Sequence, residues 1–114
     1  MHVEQEQVPA GLVCHLVGNL EQHTAADFRE AVAALPGAVR VVFELSAVPF
    51  IDSAGLGALI GAVRRLRESG GEVVVCSPRP SVNRVLQLVG LPRVVPVLAT
   101  LGQATEHLSR AAVA

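Results

Sequence analysis

The chain has 114 residues, and its nine basic residues, all arginine, stand against ten acidic ones, which gives a formal net charge of −1. This length is typical of one domain, and the balanced charge argues against the basic surface that binding to a nucleic-acid backbone requires. Apolar residues make up 51% of the chain and charged residues 17%, a composition that excludes a disordered protein. Three Phe, without Trp or Tyr, leave few rings on which bases could stack. We therefore expect a single globular domain, residues 1–114, with no direct nucleic-acid partner.

The N-terminal residues 1–7 are polar and acidic, and they lack the basic and apolar regions of a secretory signal. No apolar run approaches the roughly 20 residues that a membrane-spanning helix needs. The expectation is a cytoplasmic protein without a membrane span.

The first third of the chain predicts two strands and a helix. Residues 3–8 form a weak strand and residues 12–17 a stronger one, separated by a Pro-Ala-Gly turn. A helix follows, and its start resembles a capping box in which Thr24 accepts from a first-turn N–H and Asp27 takes the place of the usual Glu. Pro36 and Gly37 end this helix.

The rest of the chain alternates strands with helices. The predicted elements are a strand over 39–45, a helix over 53–68, a strand over 72–76, a helix from 80 to 89, a strand over 94–98 and a helix over 101–112. Pro80 suits a first helical position, and Gly90 suits the position after the helix end. Pro96 indicates an edge strand, and Thr100 with Gln103 forms a capping box.

The element order is β-β-α-β-α-β-α-β-α. Strands that alternate with helices predict a mostly parallel sheet with right-handed crossovers, and the first two strands are expected to form an antiparallel edge. The fold class is therefore a small α/β domain with a mixed sheet of about five strands and four helices. Its strand 39–45 is dense in apolar residues and is expected to be covered on both faces.

The junction between that buried strand and the second helix is where α/β domains favour a functional site. At about 100° per residue, one side of the helix is apolar and should face the sheet: Leu56, Leu59, Val63 and Leu66, with Ile60 at the margin. The opposite side carries small residues and then charges: Ala54, Gly57, Ala58, Gly61, Arg64, Arg65 and Glu68. Asp52 or Ser53 can act as the N-cap.

A glycine inside a helix lowers the stability of the helix by about 1 kcal/mol relative to alanine. Two glycines on the outer face of one helix therefore call for an explanation. Gly57 and Gly61 either pack beneath a neighbouring helix of the same chain or leave a smooth surface for another protein. Ser53, at the rim of this surface, is either a helix cap only or a hydroxyl accessible to a partner enzyme.

The other reactive side chains favour structural interpretations. Cys14 and Cys76 lie in apolar, strand-like runs, which predicts buried free thiols rather than a disulfide or a reactive site. The four histidines show no spacing typical of a metal site, and we expect no cofactor. The glycines after Ser53 do not have the G-x-G-x-x-G spacing that is typical of a dinucleotide-binding site. The G-x-S-x-G motif that surrounds the nucleophilic serine of many hydrolases is also absent. These patterns predict that the chain is not an enzyme.

The stretch Ile51-Asp52-Ser53-Ala54-Gly55-Leu56-Gly57 resembles the signature of STAS domains, in particular the bacterial anti-sigma factor antagonists. Further landmarks agree with this resemblance: 16–20 before the first helix, 70–72 before a strand and 89–91 after the third helix. The resemblance covers nearly the whole chain, and the predicted element order fits that fold.

The resemblance implies a function in partner switching. Family members bind an anti-sigma factor that is also a serine kinase of the GHKL type, which releases a sigma factor; phosphorylation of the motif serine stops this binding, and a serine phosphatase restores it. By resemblance, Ser53 is the phosphoacceptor. The implied partner-binding residues are Asp52, Ala54, Gly55, Leu56 and Gly57, with Asn19, Glu21, His23 and Thr24 in the nearby loop.

The loop after the second strand departs from the family pattern. The family commonly reads Gly-Glu-Leu-Asp where this chain reads Gly-Asn-Leu-Glu at 18–21, so one charge is lost and one carboxylate is longer. Other STAS domains belong to stress-signalling scaffolds or to lipid and anion transport complexes, which is the alternative function that the resemblance implies.

Overall fold

The computed structural model describes residues 1–37 and 39–113, and its elements follow the predicted order. They are β1 (His2–Val8), β2 (Gly11–Val17), α1 (Ala25–Ala33), β3 (Arg40–Ala47), α2 (Ser53–Glu68), β4 (Glu72–Cys76), α3 (Pro80–Leu88), a 3-10 turn (Leu91–Arg93), β5 (Val97–Leu98) and α4 (Leu101–Val113). Among the described residues, no helix is long and apolar enough to cross a membrane.

The five strands form one sheet in the order β1-β2-β3-β4-β5. The β1–β2 pair is antiparallel and the other three pairs are parallel, which confirms the predicted mixed sheet with an antiparallel edge. Cys14 of β2 is in register with Phe43 of β3, which in turn pairs with Val75 of β4. The carboxyl ends of β2 and β3 therefore lie side by side at one end of the sheet.

Helices cover the sheet on both faces. The larger cluster joins α1, α2 and α3 to one face, and Phe28 of α1 packs edge-on against Phe43 with ring centroids 5.4 Å apart. The smaller cluster joins α4 to the other face, where Ala104 and Leu108 pack near Val42. Because alternate residues of β3 point into the two clusters, the prediction that this strand is covered on both faces is confirmed.

The end of the chain differs from the prediction in two places. The last strand was expected over 94–98, but only Val97–Leu98 pairs with β4, because the N–H groups of Val94 and Val95 donate to the Leu91 carbonyl at 2.8 and 3.1 Å. It is an edge strand, as Pro96 indicated. The third helix was expected to reach residue 89, but α3 ends at Leu88, and Val89 beyond it is half exposed.

Local signals at other element ends are confirmed. Gly90 follows α3 with a φ of 74°, the left-handed conformation that favours glycine. At the start of α4, the Gln103 N–H donates to Thr100 Oγ1 at 3.1 Å, and Gln103 Oε1 accepts from the Ala99 N–H at 3.0 Å. The second bond reaches one residue before the usual capping-box partner.

Both cysteines are buried free thiols, and burial raises the pKa of each to about 11, so they are protonated and unreactive at neutral pH. His15 of β2 lies between two carboxylates, 3.0 Å from Glu6 and 3.4 Å from Glu44. Chiefly the hydrogen bond with Glu6 raises the His15 pKa. Among the described residues, no group of His, Cys, Asp and Glu could hold a metal ion.

Candidate functional site

The site begins where two loops leave the sheet next to each other. After β2, the Gly18 N–H donates to the Ala47 carbonyl at 3.0 Å, and the Leu20 N–H donates to the Phe50 carbonyl at the same distance. A parallel bridge then pairs Leu20 with Ile51. The structure thereby brings the loop of residues 19–24 beside the start of α2, two segments that are about 30 positions apart in the sequence.

Asp52 fixes this arrangement from the start of α2. One of its carboxylate oxygens accepts from the Gly55 N–H at 2.8 Å, which makes Asp52 the N-cap of the helix, and the other accepts from the Gln22 N–H at 3.1 Å. The bond from Gly55, followed by the bond from Gln22, lowers the Asp52 pKa below its ordinary value. The carboxylate is thus ionised at neutral pH and joins α2 to the loop.

Ser53 is the first residue of α2, and it is exposed. Because Asp52 is the N-cap, the alternative that Ser53 is only a helix cap is wrong. Its hydroxyl lies at the end of the helix where the backbone N–H groups and the helix dipole favour negative charge. The side chain is therefore both accessible and placed where an added anionic group is tolerated by the fold.

Gly55 has an internal role. It is buried, and a Cβ at this position would lie 1.9 Å from the Leu20 carbonyl oxygen. Only the absence of a side chain allows α2 to approach the backbone at Leu20 this closely. The expectation that Gly55 contacts a partner is revised accordingly: this glycine supports the surface from below.

The loop of residues 19–24 presents exposed and half-buried side chains beside α2. Asn19 and His23 are exposed, whereas Glu21 and Thr24 are half-buried. Thr24 is the N-cap residue of α1, as predicted, but its side chain makes no capping hydrogen bond: Thr24 Oγ1 accepts from the Glu21 N–H at 2.9 Å and donates to the Asn19 carbonyl at 2.7 Å. The hydroxyl closes the loop instead, and the Ala25 N–H donates to the Glu21 carbonyl at 2.7 Å.

The two faces of α2 follow the prediction with one exception. Leu59, Val63 and Leu66 are buried as expected, and Leu56 is half-buried at the margin. Ala58 was placed on the outer side but is buried, since α1 packs beside α2 there.

The outer glycines of α2 are open. Gly57 and Gly61 are exposed, and a Cβ at either position would meet no atom within 4 Å. The alternative that they pack beneath a neighbouring helix of the chain is therefore wrong for this structure. Nothing in their own fold requires glycine at these two positions.

Phe50 belongs to the site, although its side chain was not among the predicted site residues. It lies three residues before Ser53, and half of its surface is exposed. Its backbone carbonyl is held by Leu20, so the ring projects from a fixed point. The one available signal was an aromatic residue outside the alternating pattern of the preceding strand, which the sequence alone does not distinguish from a core residue.

Comparisons with known proteins agree with this architecture. The model of the STAS domain family matches residues 2–104. The anti-sigma F factor antagonist of Paenibacillus polymyxa is 32% identical over 101 residues, which cover 85% of this chain and 86% of that protein. A crystal structure of an anti-sigma factor antagonist from Mycobacterium paratuberculosis is 28% identical, with a TM-score of 0.80 over 94% of this chain and 92% of the other.

A further fold neighbour is the Bacillus cell fate determinant SpoIIAA, solved in its phosphorylated form. It is 24% identical, with a TM-score of 0.66 over 93% of this chain and 98% of that one, a likeness that concerns the fold. The family match over most of the chain, together with the relative above 30% identity, establishes the class. The chain belongs to the STAS domain family, and its relatives include anti-sigma factor antagonists.

The glycines of α2 give a stability test with opposite signs. Gly61→Ala should stabilise the protein by about 1 kcal/mol, because the methyl group meets open space and alanine favours a helix. Gly55→Ala should destabilise it by about 2 kcal/mol or more, because the methyl group collides with the Leu20 carbonyl. Urea unfolding of both variants measures the difference, and a stabilising Gly55→Ala would contradict the close approach.

Asp52→Asn tests the link between α2 and the loop. The neutral amide accepts more weakly from Gln22 and Gly55, so we expect faster hydrogen exchange at these two amides and a lower urea midpoint. Because the folded pKa of Asp52 is lowered, its contribution is present above the unfolded pKa and is lost as the pH falls through the folded pKa. The two proteins should therefore converge in stability on acidification. A difference between them that does not depend on pH would contradict the role of the carboxylate charge.

Proposed function

We propose that this chain is an anti-sigma factor antagonist that binds an anti-sigma factor of the GHKL serine kinase type and thereby releases a sigma factor. Phosphorylation of Ser53 ends this binding, and a serine phosphatase restores it. The observation that carries the proposal is the exposed Ser53 hydroxyl at the first position of α2, left free because Asp52 caps the helix. The names of the relatives support the same function. Since sigma factors act in the cytoplasm, the proposed function places the chain there.

The surroundings of Ser53 favour a group that is modified over a catalytic nucleophile. A nucleophilic serine needs a neighbouring base to take its proton. The carboxylate of Asp52 is occupied by two backbone N–H groups, and the His15 ring contacts Glu6 and Glu44 on β1 and β3. Among the side-chain hydrogen bonds of the described residues, none joins the Ser53 hydroxyl to a histidine or a carboxylate, His23 of the neighbouring loop included, which supports a regulatory binding protein over an enzyme.

The switch follows from the charge that phosphorylation adds, about −1.5 to −2 at neutral pH. Within the chain, the start of α2 favours this charge, so the fold should persist. At an interface, the phosphate must lose water next to the ionised Asp52. A penalty of only about 3 kcal/mol lowers affinity more than a hundredfold.

The docking surface surrounds Ser53 on two segments. On the first segment it comprises Phe50, Asp52, Ala54, Leu56 and Gly57. On the second it comprises Asn19, Glu21, His23 and Thr24. Gly55 supports this surface from inside and does not belong to it. The loop carries the departure from the family pattern, so it is the segment that we assign to the choice of one anti-sigma factor over another.

Ser53 variants test the switch directly. Ser53→Asp should weaken binding to the anti-sigma factor about a hundredfold, whereas Ser53→Ala should bind like the wild type, because only the first adds charge. Calorimetry with the anti-sigma factors of the organism that encodes the chain measures both affinities. Incubation with the same kinases and ATP, followed by intact-mass analysis, should add one phosphate to the wild type and none to Ser53→Ala. Equal affinities of the two variants would contradict the switch, and a transporter ATPase as the bound partner would favour the alternative function.

Phe50 is expected to anchor the partner. Phe50→Ala should weaken binding about tenfold or more, because exposed aromatic side chains at the centre of an interface contribute much of its affinity. Leu88→Ala is the matched control, since Leu88 is 80% exposed on α3 and outside the docking surface. Calorimetry measures the affinity of both variants for the anti-sigma factor. An equal loss of affinity in the two variants would show that Phe50 is not part of the interface.

A further inference from the structure

A groove runs between α1 and α2, away from the sheet. Its volume is about 240 Å³. The residues that line it are Arg29 and Val32 of α1, and Gly57, Ala58, Gly61, Ala62 and Arg65 of α2. It shares Gly57 with the proposed docking surface and extends from there along α2 towards its C-terminal half.

The floor of this groove is apolar, and it is formed by small residues of α2 and by Val32 of α1. Val32, Ala58 and Ala62 are buried beneath it, and the two glycines keep the surface free of side chains. Because a Cβ on Gly57 or Gly61 would meet open space, the glycines relieve no clash within the chain. Their effect is on what lies outside: they let another chain approach the backbone of α2 closely.

Positive charge borders the groove from both helices. Arg29 comes from α1 and Arg65 from α2, and both are exposed. Among the arginines that the structure describes, Arg110 alone forms an ion pair, with Glu106 at 3.5 Å, so neither groove guanidinium is neutralised by a carboxylate of the described residues. Two cations beside an apolar floor are complementary to an occupant that carries carboxylates around an aliphatic group.

The size of the groove indicates a protein segment as the occupant. Small-molecule sites usually enclose about 300–1,000 Å³, more than this shallow groove offers. The space suits one or two aliphatic side chains, with neighbouring carboxylates reaching the arginines. Gly57 belongs both to the groove and to the proposed docking surface. The segment in the groove should therefore belong to the same protein that covers Ser53.

We propose that the α1–α2 groove receives an acidic segment of the anti-sigma factor, with an aliphatic side chain on the glycine floor and carboxylates at Arg29 and Arg65. This inference rests on the proposed function and extends its interface beyond the residues around Ser53. The arginines and Gly61 then contribute to partner choice, independently of the phosphorylation state of Ser53.

Charge reversal on both walls tests this proposal. Arg29→Glu and Arg65→Glu should each weaken binding to the anti-sigma factor about tenfold at low salt, and by less at high salt, because screening reduces the repulsion. Arg84→Glu is the matched control, since Arg84 is exposed on α3 outside the groove. Gly61→Ala should raise the urea midpoint yet weaken binding severalfold, whereas Gly102→Ala, an exposed glycine of α4 with room for a methyl group, should leave binding unchanged.

Calorimetry on these variants separates the outcomes. Weaker binding by both groove arginine variants and by Gly61→Ala, with both controls unaffected, supports the groove. Affinities equal to that of the wild type, or an equal loss for Arg84→Glu, would overturn the groove while the Ser53 variants still test the proposed function on their own. If the wild-type chain binds none of the anti-sigma factors of its organism, the proposed function and the groove both fall.

Discussion

The contact between the start of α2 and the backbone at Leu20 is the constraint on which the site depends. The absence of a side chain at Gly55 lets the helix reach the Leu20 carbonyl, and the Asp52 carboxylate then holds the helix and the loop together through two backbone N–H groups. A carboxylate that accepts from two segments fixes their relative position more firmly than either bond alone. The loop of residues 19–24 and the N-terminus of α2 therefore present one continuous surface.

In this arrangement, the adjacent residues Asp52 and Ser53 have different roles. Asp52 satisfies the helix end, a task that a serine in the same place could also perform. The Ser53 side chain is therefore not needed to cap the helix, and this residue is exposed to solvent. A modification at this position changes the surface charge without removing a bond that the fold needs. Such a division suits a protein whose state is set by charge and whose fold has to survive both states.

The outer side of α2 carries residues that lower the stability of the helix. Gly57 and Gly61 weaken α2 without relieving a clash inside the chain, since a Cβ at either position would meet no atom within 4 Å. Features that lower stability without an internal benefit are common at sites where proteins bind others. Phe50, a large exposed ring held by its backbone, fits the same interpretation.

The sequence by itself determined the order of the elements, the mixed sheet and the N-cap at residue 52 or 53, because periodicity, caps and turn residues act over a few neighbouring positions. Only the tertiary structure decided which neighbours cover each face. Ala58 is buried because α1 packs beside α2, and the Thr24 hydroxyl bonds Asn19 and Glu21 of the loop and not an N–H of α1. The pairing of Leu20 with Ile51, on which the site depends, joins segments about 30 residues apart, a distance over which local patterns carry no information.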